Sequence, residues 1–99
     1  MMFAEQIKKM RIECKMPQRQ LATALEIDTA TYCKIEKGNR RAKREQVIII
    51  AKILKVDKDQ LLAIWLADQL AAVVENEKKV ADNALNITKE NINKKKTRR

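Results

Sequence analysis

The stretch QRQLATALEIDTATYCKIEKG, residues 18–38, holds two short helical patterns joined by a tight corner. The corner is Glu26-Ile27-Asp28, where Ile27 can fill the space between the helices and Asp28 suits the N-cap of the second. Gly38, the only glycine of the chain, follows where a left-handed C-terminal residue is favoured. Two short helices at a fixed corner present one of them to a surface, an arrangement that suits the major groove of DNA.

Apolar side chains at helical spacing extend this pattern in both directions. The predicted helices cover residues 3–15, 17–25, 29–37, 44–54 and 58 to at least 74. The side chains expected to face inward include Phe3, Ile7, Leu21, Ala22, Leu25, Tyr32, Ile35, Val47, Ile50, Ala51, Leu54 and Leu61. The helix over residues 44–54 is apolar on more than one side, which predicts burial by several neighbours.

The composition favours one all-α domain with a tail. Its 99 residues, 45% of them hydrophobic, are enough for a core without metal or disulfide, and β-branched runs with turn residues are missing. With two cysteines and no histidine, a zinc site and a histidine-activated nucleophile are not expected. We therefore expect no enzyme, cofactor or metal site. The lack of a long apolar run predicts a cytoplasmic protein without a membrane partner.

The positive charge is concentrated in two places. The chain has a net charge of +9, of which residues 34–55 contribute +6 and residues 94–99 contribute +5, whereas residues 56–93 are acidic. A focused basic patch next to a two-helix unit suits a polyanion such as DNA. The alternative is a solvated surface that gives solubility, and this alternative has more weight for the last six residues.

The fifth predicted helix carries two apolar faces. One face, with Leu61 and Trp65, is expected to join the core. The second face is formed by Leu62, Leu66, Leu70 and Val73. A domain of this size covers only one such face, so the second is predicted to form a homodimer interface. In the alternative, residues 78–92 fold back over it.

The composition of residues 76–99 predicts less regular structure. Residues 76–93 contain five asparagines, which lower helix propensity and predict at most a weak helix. Residues 94–99, KKKTRR, are predicted to be a mobile basic tail with non-specific phosphate affinity. The predicted organisation is a helix-turn-helix domain over residues 1–62, a helical dimerisation extension over 63–93 and this tail.

Residues 3–62 resemble the helix-turn-helix proteins of the Cro and phage-repressor type, the XRE family. The features that carry the resemblance are Gln18, Leu21-Ala22, Ile27, Ile35-Glu36-Lys37-Gly38, Ala51-Lys52-Ile53-Leu54 and Leu61-Leu62. The resemblance implies a lambda-repressor-like domain of five helices, here with an extended fifth helix and a C-terminal helical and basic tail. It also implies binding to double-stranded DNA.

The resemblance further assigns roles to single residues. Gln18 would bind a phosphate and brace the recognition helix, whose exposed face is formed by residues 29–34. Thr29 and Thr31 would hydrogen-bond base edges or present a methyl group to thymine, while Lys34 would read guanine or hold a phosphate. The implied DNA contacts are Gln18, Arg19, Thr29, Ala30, Thr31, Cys33, Lys34, Lys37, Asn39, Arg40, Arg41, Lys43 and Arg44. The position of Cys33 also suggests a redox switch, against the alternative of an inert side chain.

The resemblance implies a scaffold role for two residues, and the sequence departs from the family pattern at two others. Arg11 and Glu36 match a partly buried ion pair that joins the first helix to the third. Glu26 stands where the family usually has glycine, and a positive φ at this position would strain its backbone. Pro17 stands where the family favours a capping Ser or Thr, so the cap hydrogen bond is lost.

Three functions are compatible with these patterns. The leading hypothesis is a homodimeric transcriptional regulator acting on a palindromic operator. Residues 26–47 and 61–70 also resemble small bacterial regulators encoded beside DNA methyltransferases, which implies a restriction–modification controller-like role. The second hypothesis is an antitoxin whose residues 75–99 bind a toxin, and the third is an architectural nucleoid protein without sequence preference.

Overall fold

The computed structural model describes residues 2–97, with side chains up to residue 94. The described chain is all-helical, as predicted, and contains no strand. Its six helices are α1 (Met2–Glu13), α2 (Gln18–Ala24), α3 (Thr29–Glu36), α4 (Arg44–Leu54), α5 (Lys58–Val74) and α6 (Lys78–Thr97).

The first five helices lie close to their predicted positions. The bounds of α4 agree with the prediction at both ends, whereas α1, α2 and α3 end one or two residues earlier than predicted. Pro17 lies before the first residue of α2, in an extended conformation with φ −74° and ψ 151° and no side-chain cap bond. A proline at this point starts the helix through its fixed φ, because its missing N–H would have no partner within the helix.

The chain divides into two compact units, Met1–Asp68 and Gln69–Arg99. The first unit ends later than residue 62, the predicted end of the DNA-binding domain, and α5 runs across the boundary. The difference arises because side chains beyond residue 62, among them Ile64 and Trp65, still pack against the core.

The core of the first unit lies where α1 to α4 meet the start of α5. Its largest fully buried side chains are Tyr32, Ile7, Leu21, Ile35, Ile50, Leu61 and Val47. All seven had been expected to face inward. Each buried aliphatic side chain of this size contributes about 1.5–3 kcal/mol relative to exposure, so this cluster is the main source of stability.

The second unit consists of the end of α5 and all of α6. Every described side chain of α6 except the half-buried Ala81 is exposed, including Val80, Ile87 and Ile92. The helix begins two residues later than the predicted weak helix and continues to Thr97, into the segment predicted to be a mobile tail. Residues 98 and 99 of that predicted tail lie outside the described residues.

The described residues include no candidate for a membrane span and none for a metal-binding cluster. Within residues 2–97 no helix combines the length and the apolar character that crossing a membrane requires. The same part of the chain holds no group of three or more Cys, Asp or Glu side chains arranged to bind a metal ion.

Candidate nucleic-acid interface

The corner between α2 and α3 is a left-handed turn. Glu26 stands where the family usually has glycine, and its φ is positive, at 58°. The turn is closed by backbone bonds from Glu26 N–H to the Thr23 carbonyl and from Ile27 N–H to the Ala22 carbonyl, both 3.0 Å. A non-glycine residue in this region carries backbone strain of about 1–2 kcal/mol, which the surrounding structure has to offset.

Asp28 begins α3 as its N-cap, as predicted. Its carboxylate Oδ1 accepts a hydrogen bond of 2.7 Å from the backbone N–H of Thr31. Hydrogen bonds from the side chain and the backbone of Thr31 lower the pKa of Asp28, so it is ionised at neutral pH. A carboxylate here also interacts favourably with the positive end of the helix dipole, and this interaction further stabilises the first turn of α3.

Helix α3 has one buried and one open side. Tyr32, Ile35 and Glu36 are buried, at 0%, 1% and 5% exposure. On the other side the predicted DNA-reading residues divide into two groups. Thr29, Ala30 and Lys34 are exposed, whereas Thr31 and Cys33 are half-buried. The side chains at the start of α3, Thr29 and Ala30, are short and exposed, which suits close approach to a groove.

A basic loop, residues 39–43, follows α3 directly. Gly38 has φ 81° and ends the helix, while Asn39 N–H bonds to the Lys34 carbonyl at 2.9 Å. The predicted DNA-contacting side chains in and beside the loop are all exposed, namely Lys37, Asn39, Arg40, Arg41, Lys43 and Arg44. These side chains, five of them cationic, therefore lie on one chain segment that follows α3.

One residue in the basic loop is buried, and the sequence analysis did not identify its role. Ala42 is 2% exposed, and its carbonyl accepts a hydrogen bond of 2.8 Å from the indole Nε1 of Trp65 on α5. A signal was present in the sequence, since a buried tryptophan usually needs an acceptor for its N–H. The identity of the acceptor depends on tertiary packing and does not follow from the sequence.

A polar network locks α3 to α1 and α2. The Arg11 guanidinium donates through Nε to Glu36 Oε2 at 2.6 Å and through a second nitrogen to Oε1 at 3.2 Å. The same guanidinium bonds to the Met16 carbonyl at 2.7 Å, and Gln18 Nε2 donates to Glu36 Oε1 at 3.1 Å. The ion pair inferred from the family resemblance is thus present, with side-chain exposures of 13% and 2%.

The network changes the titration of its members. Burial alone would raise the pKa of Glu36, but hydrogen bonds from Arg11 and Gln18, with the Tyr32 hydroxyl nearby, outweigh burial and lower it. The bond to Glu36 raises the pKa of Arg11, and burial raises the pKa of Tyr32. At neutral pH the ion pair is therefore charged and Tyr32 is neutral.

Gln18 makes one of the two contacts that the resemblance implies for it. Its half-buried amide braces the recognition helix through Glu36, which is one part of its implied role. The phosphate contact implied for the same residue stays a prediction. Arg19, the next residue along α2, is exposed and carries its charge at the start of that helix.

The face predicted for dimerisation is only partly open. Leu66, Leu70 and Val73 are exposed at 51%, 49% and 77%, but Leu62 is 8% exposed and belongs to the core. The periodicity placed Leu62 on the second face because spacing alone did not show that the core cluster also covers this residue. The exposed part of this face is therefore Leu66, Leu70 and Val73.

Asp68 has a structural role that the sequence analysis missed. Its two carboxylate oxygens accept bonds from the backbone N–H groups of Met2 at 3.0 Å and Phe3 at 2.8 Å, in the first turn of α1. Such N–H groups have no partner within a helix, and a carboxylate also complements the helix dipole. The only sign in the sequence was that Asp68 interrupts the apolar run of α5.

An all-α domain with two helices at a left-handed corner, an open second helix and a basic loop after it defines a helix-turn-helix protein. The chain belongs to the helix-turn-helix family, whose model matches residues 7–61. It is also similar to YqaE, an uncharacterized HTH-type transcriptional regulator of Bacillus subtilis (strain 168), with 38% identity over 61 residues. That match covers 62% of this chain and 53% of YqaE, about half of the relative. No solved structure matches the chain significantly.

Proposed function

We propose that the protein is a sequence-specific DNA-binding transcriptional regulator that acts as a homodimer on a palindromic operator. The observation that carries the proposal is the open side of α3, which continues directly into the exposed basic loop. Membership of the helix-turn-helix family and the similarity to an HTH-type transcriptional regulator support the same function.

The proposed interface has two parts with different tasks. Thr29 and Thr31 contact base edges in the major groove, Ala30 makes apolar contact, and Lys34 contacts guanine or a phosphate. The backbone N–H of Thr31 also donates to the Asp28 carboxylate, which fixes this residue at the start of α3. The basic loop and Arg44 follow the DNA backbone, where contacts position the protein without reading sequence.

Homodimerisation is proposed through the stripe of Leu66, Leu70 and Val73. These side chains are exposed and spaced by four and three residues, so they lie on one face of α5. Burying a similar stripe from a second copy removes apolar surface of both copies from water. A dimer that binds a palindromic operator presents two recognition helices to successive major grooves, about 34 Å apart.

A selection of bound sequences from a random DNA pool tests the proposal. We expect enrichment of a palindrome whose half-sites are separated by about one helical turn, 10–10.5 base pairs centre to centre, or a multiple of it. Enrichment of a single half-site would contradict the dimer. If no sequence is enriched while random duplex still binds tightly at low salt, an architectural nucleoid protein is the better description.

The controller-like role rests on resemblance alone. If it is correct, the selected operator occurs upstream of a DNA methyltransferase reading frame in the source genome, and the protein changes transcription from that promoter in a reconstituted assay. An operator found only at unrelated promoters would contradict the controller-like role, while the proposal of a general transcriptional regulator would stand.

An antitoxin is the second candidate function, and the exposed apolar side chains of α6 favour it. Val80 and Ile87 are 52% and 67% exposed, and they lie on one side of a helix that is exposed almost throughout. In this function α6 binds and neutralises a toxin. Co-expression with a small protein encoded in the adjacent reading frame tests it, since an antitoxin co-purifies with that protein and restores growth.

A further inference from the structure

Trp65 is the only tryptophan in the chain, and its indole is bonded to the middle of the basic loop. We infer that Trp65 is a positioning residue that holds the basic loop in the conformation required for contact with the DNA backbone. This inference rests on the proposed DNA-binding function. It adds a residue of α5, distant from the helix-turn-helix in sequence, to the set that determines affinity.

The hydrogen bonds of the loop show why its middle needs an anchor. At the start of the loop, the N–H groups of Asn39 and Arg40 bond to the Lys34 carbonyl at 2.9 and 3.3 Å. At its end, Lys43 N–H bonds to Gln46 Oε1 at 2.8 Å. Between these points the buried methyl of Ala42 and its carbonyl bond to Trp65 hold the backbone.

A fixed backbone matters here because the side chains that it carries are long. Arginine and lysine lose rotamer freedom when they bind a phosphate, and a mobile backbone would add its own entropy loss. With Ala42 held, the side chains on either side of it start from constant positions. Phosphate contacts carry no sequence information, so Trp65 should raise affinity for all DNA sequences by the same factor.

The anchor is first tested in the protein without DNA. A single tryptophan gives one indole N–H signal in NMR, and we expect it to exchange with solvent much more slowly than free indole. In Trp65→Phe, which keeps an aromatic ring and removes the donor, the amides of residues 40–43 should exchange about tenfold faster. An indole N–H that exchanges as fast as free tryptophan, or loop amides unchanged in Trp65→Phe, overturns the inference.

The consequence for binding is tested with two duplexes, the selected operator and a random sequence. We expect Trp65→Phe to weaken binding to both duplexes by a similar factor of about ten. The slope of log affinity against log salt should fall by about one, which corresponds to one lost phosphate contact. Ile64→Val, the matched control, removes a methyl group from the neighbouring residue of α5 and should leave the slope unchanged.

The outcomes separate this inference from the proposed function. Unchanged affinity and slope in Trp65→Phe, or a loss confined to the operator, overturn the inference while DNA binding stands. If the wild-type protein binds neither duplex, the proposed function fails, and the DNA contact of the loop fails with it. The exchange measurements without DNA still decide whether Trp65 holds the loop.

Discussion

Arg11 and Glu36 face each other across the interface between α1 and α3, with Arg11 Nε 2.6 Å from Glu36 Oε2. The pair is almost enclosed, and Arg11 also donates to the Met16 carbonyl while Glu36 also accepts a bond from Gln18. A buried charge whose partner is removed costs more than the pair contributes, because it remains desolvated. The pair therefore fixes the orientation of the recognition helix relative to the scaffold.

Removing one member of the pair should strongly destabilise the fold. We expect Glu36→Gln and Arg11→Met each to lower the free energy of unfolding by about 3–5 kcal/mol, measured by urea denaturation at fixed protein concentration. The double variant should lose less than the sum of the single losses, because it leaves no unpaired charge. Additive losses in this double-mutant cycle would show that the two side chains are not coupled.

The same pair predicts a pH dependence. The folded-state pKa of Glu36 is lowered, so its ionised form stabilises the fold above the ordinary glutamate value of about 4.3. This contribution is lost as pH falls through the lowered folded-state value. Glu36→Gln should therefore lose less stability than wild type between pH 5 and about 2. Glu45→Gln, an exposed control, should follow the wild-type curve.

Much of the first unit could be predicted because its elements are determined locally. Pro17 starts α2, Asp28 caps α3, and Gly38 ends it through contacts within a few residues, and the apolar spacing identified the core. The pair of Arg11 and Glu36 was found only through the family resemblance. Spacing alone does not show which helices meet.

The parts that were missed depend on long-range contacts. The bond from Trp65 to Ala42 joins residues 23 positions apart, and the bonds from Met2 and Phe3 to Asp68 join residues 66 and 65 positions apart. The packing of α5 decides whether the indole N–H of Trp65 finds an acceptor and whether the carboxylate of Asp68 finds donors. Local propensity also underestimated α6, since five asparagines each cost only a few tenths of a kcal/mol and do not prevent a helix.

Glycine at the corner should stabilise the protein. Glu26 has φ 58°, where glycine avoids about 1–2 kcal/mol of strain but loses part of this through greater freedom when unfolded. We expect Glu26→Gly to raise the free energy of unfolding by up to about 1 kcal/mol. Glu26→Ala removes the same side chain but keeps the strained backbone, so it should give no such gain. Equal effects of the two variants would mean that the side chain, and not φ, determines the change.

The two parts of the interface should respond differently to substitution. Thr29→Ala with Thr31→Ala removes groups on the open side of α3, and we expect a changed base preference with an unchanged salt slope. Arg40→Ala with Arg41→Ala removes two charges of the basic loop. This second change should weaken all sequences alike and reduce the slope of log affinity against log salt by about two. Both are measured by fluorescence anisotropy on operator and random duplexes across a salt series. Identical profiles for the two double variants would contradict the division into reading and positioning residues.

The dimer prediction concerns the exposed stripe of α5. Leu66→Glu or Leu70→Glu places a charge in the middle of the proposed interface, where burying it without a partner would cost several kcal/mol. We expect monomers by light scattering and weaker operator binding, with the helical content of the first unit retained. The matched control is Ala71→Glu, which adds the same charge to an exposed position of α5 outside the stripe and should leave a dimer. If both leucine variants remain dimeric, the interface lies elsewhere, and the exposed apolar side chains of α6 become the next surface to substitute.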